Sequence, residues 1–90
     1  MQDDPKHTFE YLVKQDSFNE SSSNWGTIVG LLCGEICIHL LDKEKQDRYI
    51  EDEEYRSRIV NFIRSNISFR KRENFYSLCI SLNKTDIQNL

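Results

Sequence analysis

The chain has little of what marks the specialised protein classes. One proline and three glycines in ninety residues exclude a collagen-like or low-complexity chain. Positive charge is in deficit, twelve Lys and Arg against fifteen Asp and Glu, for a net charge of -3. A general nucleic-acid binder needs a basic surface to meet phosphates, so nucleic acid is not an expected partner. No stretch reaches the roughly 20 apolar residues of a membrane span. The first ten residues include Asp3, Asp4, Pro5 and Lys6 and lack the apolar segment of a secretory signal. The three cysteines, Cys33, Cys37 and Cys79, are odd in number and lie in apolar stretches. They read as reduced thiols of an intracellular, cytoplasmic protein. In that setting the N-x-S/T matches at Asn19, Asn66 and Asn83 read as chance.

Catalytic apparatus is missing as well. There is no Ser/His/Asp set, no phosphate loop and no carboxylate pair in an acid-base context, so no catalytic residue, cofactor or enzyme activity is expected. Cys33 and Cys37 share a helix face. His39 points elsewhere and no second Cys/His pair lies nearby, so core cysteines are the better reading than a metal site. Glu35 and His39, four apart, read as a polar pair on the helix edge. Arg70, Lys71 and Arg72 read as a solvated helix start, and the acidic run Glu51–Glu54 as a solvated face.

What the chain does have is a long apolar run. Trp25–Leu41 holds seventeen residues with only Thr27, Glu35 and His39 clearly polar. That length predicts a helix over about 25–41, with Asn24 at the N-cap and Ser21, Ser22 and Ser23 ending anything earlier. A helix apolar nearly all round predicts wrapping on several sides, at the centre of the fold. Before it, Phe9, Leu12 and Val13 predict a short amphipathic helix over Lys6–Gln15, followed by a loop over Asp16–Ser23 with Phe18 tucked inward. After it, the charged stretch Asp42–Arg48 is a turn or a helix start. Tyr55, Ile59, Phe62 and Ile63 then predict a one-faced helix over about 46–65. A break follows over Asn66–Phe69. Phe75, Leu78, Cys79 and Leu82 predict a helix over about 71–83. Thr85 and Gln88 match a capping box for a last turn. With no alternating strand pattern and no repeat, the expected fold is a single all-α domain spanning 1–90, a compact helical bundle around the central apolar helix.

Asn24-Trp25-Gly26 opening that helix is unusual. Glycine in a first turn lowers helix stability but lets another chain approach the backbone N–H groups. The segment NWGTIVGLLCGEICIHLLDKE resembles the first homology motif of the Bcl-2 family of apoptosis regulators. FIRSN (Phe62–Asn66) and ENFYSL (Glu73–Leu78) resemble the second motif in split form, so the resemblance covers about Phe9 to Leu82. It implies a helical bundle, truncated on its N-terminal side, whose hydrophobic groove binds the amphipathic death-motif helices of pro-apoptotic partners. By position, Asn24, Gly26, Thr27, Val29 and Gly30 would form the partner-binding set. Trp25, Phe62, Ile63 and Phe75 would support the groove. The implied role is regulation of cell death, most simply anti-apoptotic, with association with mitochondria through partners. Three departures mark a divergent member of viral or invertebrate type. Thr27 replaces the motif's Arg, Gly34 stands where an aromatic would line the groove, and Arg72 occupies the place of the second motif's Trp.

The alternative is an adaptor or regulatory dimer unrelated to cell death. Gly26, Gly30 and Gly34 recur every four residues, making a flat face for a helix of a partner, a second copy or the same chain. With a single short segment ahead of Asn24, an all-round apolar helix would leave much apolar area in water. The expectation is therefore a fragment, or a chain that completes its core with a homodimer mate or another partner.

Overall fold

The structure, a computed structural model, describes residues 5–17 and 24–90. It is not all-α. Three antiparallel strands, β1 (Lys6–Lys14), β2 (Ile67–Lys71) and β3 (Phe75–Asn83), form one sheet in the order β1-β3-β2. Four helices accompany it: α1 (Asn24–Leu40), α2 (Lys43–Glu51), α3 (Glu53–Ser65) and the short α4 (Lys84–Gln88). The architecture is a two-layer α+β sandwich in which helices pack on one face of the sheet.

Two of the predicted helices are strands, and one cause serves both. In β3 the residues Leu78, Ile80 and Leu82 are buried and Phe75 is exposed. The period is two, so Tyr76, Leu78, Ile80 and Leu82 share the inner face while Phe75, Ser77, Cys79 and Ser81 share the outer one. Phe75, Leu78, Cys79 and Leu82 happen also to fit helical spacing, but they fall on opposite faces of a strand. The basic trio Arg70, Lys71 and Arg72 accordingly lies at the β2–β3 hairpin end rather than at a helix start. In β1, Lys6, Thr8, Glu10, Leu12 and Lys14 are exposed while His7, Phe9, Tyr11 and Val13 are half-buried, again period two. Phe9 pairs with Ile80, and Tyr11 with Leu78. The β-branched and aromatic content of both segments suits a pleated, half-buried surface.

The helix predicted over 46–65 is two helices. It starts earlier, where the Asp42 carboxylate accepts from the Lys45 amide at 2.9 Å. It breaks at Asp52, which adopts an extended backbone and whose side chain accepts from the amides of Glu54 (3.0 Å) and Tyr55 (3.2 Å). An aspartate offers the chain this alternative to continued helix. In the C-terminal turn, α4 begins after Asn83 rather than through a Thr85 cap, and Asn83 makes no side-chain cap bond.

The central helix α1 is one-sided, not wrapped. Val29, Leu32, Cys33, Ile36, Cys37 and Leu40 are buried, at i, i+3, i+4, i+7, i+8 and i+11. They meet Tyr55, Ile59 and Ile63 of α3, Leu78, Ile80 and Leu82 of β3, and Ile87 of α4 in one core. The outward side carries Leu31 and Ile38 beside the glycines and polar residues, which is why the run looks apolar in every direction without being buried in every direction. The C-terminal carbonyls of α1 are met by side chains: Gln88 donates to Leu40 (2.9 Å) and Gln46 to Leu41 (2.7 Å). The expected loop begins as a 3-10 turn over Gln15–Ser17, while Phe18–Ser23, including the serine run, lies outside the described residues. Among the described residues no helix is long and apolar enough to cross a membrane.

Candidate functional site

The residues singled out around Asn24 do not gather into one groove. Asn24, Gly26, Thr27 and Gly30 are exposed along the first half of α1, whereas Val29 is 2% exposed and points into the core. Helical geometry forces this division, since Val29 sits on the buried stripe with Leu32 and Cys33. Trp25 is half-buried and meets Phe69 of β2 edge-on, with ring centroids 5.9 Å apart. Ile63 is fully buried, and Phe62 packs at the margin of the core. Phe75 lies on the outer face of the sheet, 40% exposed, on the opposite side from α1. Cys33 and Cys37 are buried, free thiols. His39 and Glu35 do pair, at 3.5 Å on the exposed side of α1.

The glycine stripe does not pack against the other described residues. A Cβ added at Gly26, Gly30 or Gly34 meets no atom within 4 Å. Alongside it Leu31 is 68% and Ile38 70% exposed, so the outward side of α1 combines bare backbone with large apolar side chains.

A second feature, absent from the sequence reading, adjoins it. Tyr11, Leu12 and Val13 of β1 and Ile28, Leu31 and Leu32 of α1 enclose an apolar groove of about 390 Å³, with Glu35 at its rim. Leu12, between Tyr11 and Val13, alternates to the outer face of the sheet and is 66% exposed there. Burial, and then the nearby Glu35 carboxylate, raise the pKa of the Tyr11 phenol above its ordinary value. Among the described residues the groove runs beside a free sheet edge, because β1 is terminal in the strand order. Its backbone polarity follows from the register. The Gln15 amide donates to the Asn74 carbonyl at 2.9 Å, and Gln15 continues the β1–β3 pairing. In an antiparallel ladder such pairs alternate, so odd-numbered residues of β1 bond to β3. The amides and carbonyls of Lys6, Thr8, Glu10, Leu12 and Lys14 face away from the sheet. Unpaired edge groups beside an apolar groove form a template for another chain. The sequence signal for this edge was the alternation Phe9, Tyr11, Val13.

Elsewhere, the acidic run does line a solvated surface, an open depression shared by Glu44, Asp47, Glu51 and Glu54 with Arg48 among them. No group of three or more His, Cys, Asp or Glu among the described residues is placed to hold a metal ion. Comparison with family models, with curated proteins and with solved structures returned no match.

Proposed function

We propose that this chain is a protein-interaction module that binds through the β1 edge and the adjoining outward side of α1. The observation that carries this reading is the apolar groove between Tyr11 and Val13 of β1 and Ile28 and Leu31 of α1, open at a strand edge, with Leu31 68% exposed at its margin. Folded chains leave contiguous apolar surface in water mainly where another molecule covers it. Strand addition would supply backbone hydrogen bonds, and the groove would supply side-chain selectivity. The test is sedimentation equilibrium of the full chain together with titration of extended peptides of alternating apolar residues. Self-association or peptide binding that Leu31→Asp abolishes, with the fold intact by circular dichroism, is the expected result. A strict monomer that binds no peptide at tens of micromolar, an affinity near 6 kcal/mol, overturns it.

A second reading, regulation of cell death by capture of an amphipathic helix, draws on one observation. Asn24, Gly26, Thr27 and Gly30 lie exposed along α1, with open space at both glycines, so a partner helix could approach that backbone. Of the supporting elements implied by the Bcl-2 resemblance, Phe62 and Ile63 lie in α3, but Glu73–Leu78 runs into β3 rather than a helix. Death-motif peptides therefore belong in the same titration, with Gly26→Glu as the discriminating variant. Binding lost on that substitution favours this reading; absence of binding to every peptide removes it.

A further inference from the structure

We propose that the free edge of β1 pairs with the same edge of a second copy, antiparallel and centred on Leu12, to make a continuous six-stranded sheet. This rests on the interaction reading above and names the partner.

The edge's own charges select the register. The longest overlap, centred on Glu10, would set Lys6 against Lys14 at both ends and Glu10 against itself. Like charges directly opposite are destabilising, so the full-length pairing is disfavoured. Registers centred on Phe9 or Tyr11 set Glu10 opposite Thr8 or Leu12, with no charge to meet it. A register centred on Thr8 matches Lys6 with Glu10 but ends at Glu10 and leaves the exposed Leu12 outside the overlap. Centring on Leu12 pairs the five residues Glu10–Lys14 and leaves Lys6–Phe9 beyond the overlap, and every row within it is matched. Glu10 meets Lys14 of the second copy twice by symmetry, Leu12 meets Leu12, and Tyr11 meets Val13.

The backbone agrees with that choice. Leu12 is among the residues whose amide and carbonyl face the free edge, so it can form a two-bond pair with its symmetry mate. The overlap ends at Lys14, where the chain turns into the 3-10 segment Gln15–Ser17. Leu12, 66% exposed in one copy, is covered by its mate. Tyr11 and Val13 line the groove in each copy, so pairing them across the axis merges the two grooves along the Leu31 side of α1.

The experiment uses the full chain in a Cys79→Ser background, since Cys79 is the one cysteine that is not buried. Residues paired this way have Cα atoms about 5.5 Å apart, within disulfide range. Leu12→Cys is expected to give a covalent dimer under mild oxidation, and Thr8→Cys is not. In sedimentation equilibrium without the added cysteine, Lys14→Glu raises the dimer dissociation constant by about tenfold or more. Adding Glu10→Lys to it restores dimerisation. A dimer indifferent to Lys14→Glu, or one that cross-links through Thr8→Cys instead, overturns the register and with it the proposal. A monomer at about 0.5 mM, a concentration that populates even weak association, overturns self-pairing. If that monomer still captures extended peptides, the interaction reading stands without it; if it captures none, both fall.

Discussion

The guanidinium carbon of Arg48 lies 4.3 Å from the centre of the Tyr55 ring, stacked over a phenol that is completely buried. Arg48 also reaches Asp52 at 3.6 Å, so one side chain links α2, the break between helices and the first turn of α3. Buried rings flanked by a guanidinium gain cation–π attraction on top of apolar burial. The Tyr55 hydroxyl itself has no hydrogen-bond partner among the described residues.

Tyr55→Phe is therefore expected to be neutral or stabilising, by up to about 1 kcal/mol, because it removes a buried polar group that pairs with nothing. The ring and its contact with Arg48 survive the change. Urea denaturation of the two proteins measures it; a loss of more than about 1 kcal/mol would show that the hydroxyl is satisfied in solution.

Burial pushes the Cys33 thiol up to about 11 and the Cys37 thiol up to about 12, from an ordinary 9.0. The folded state thus holds these protons more tightly than the unfolded chain does. Their contribution to stability is complete below pH 9 and declines as pH rises toward 11–12. The urea midpoint should fall across that window, and Cys33→Val with Cys37→Val should flatten the fall. Iodoacetamide in native buffer should modify Cys79 first and reach Cys33 and Cys37 only on unfolding, as mass spectrometry of timed samples would show.

Gly30→Ala and Gly34→Ala should each raise stability by about 0.5–1 kcal/mol, since glycine in a helix interior costs that much and no atom stands in the way of the new methyl group. Thermal melts decide the sign. A gain in stability accompanied by lost association would mean that a partner uses the bare backbone of α1.

The helical half of the fold was legible where spacing had one interpretation. Tyr55, Ile59, Phe62 and Ile63 recur at i, i+4, i+7 and i+8, where Phe62 beside Ile63 breaks strand alternation but fits a helix stripe, and Tyr55, Ile59 and Ile63 are buried. The break at Asp52 was harder to see, because the apolar stripe of α3 begins only at Tyr55 and the preceding charges suit either helix or turn. The strands were misread for a definite reason. Phe75, Leu78, Cys79 and Leu82 fit a helix, and Tyr76, Leu78, Ile80 and Leu82 fit a strand, in the same nine residues. Local pattern cannot choose between them. Pairing chooses: β3 bonds to β1 across more than sixty residues of sequence and to β2 through the hairpin, satisfying its backbone on both sides. The candidate site fared similarly. Gly26, Thr27 and Gly30 are exposed, but Val29 turned inward and Phe75 went to the far face of the sheet.

Composition and periodicity were enough to establish an acidic, weakly glycine- and proline-punctuated chain, a helix over the long apolar run, and free thiols along that helix. These depend on residues near one another in sequence, whose local preferences add up without outside help. Which apolar residues would be buried, and which edge left open, depended on strand order. Placing β1 outermost beside β3 exposes its even-numbered backbone groups and sets Tyr11 and Val13 beside Ile28 and Leu31. That juxtaposition is a product of long-range pairing, and no local pattern contains it.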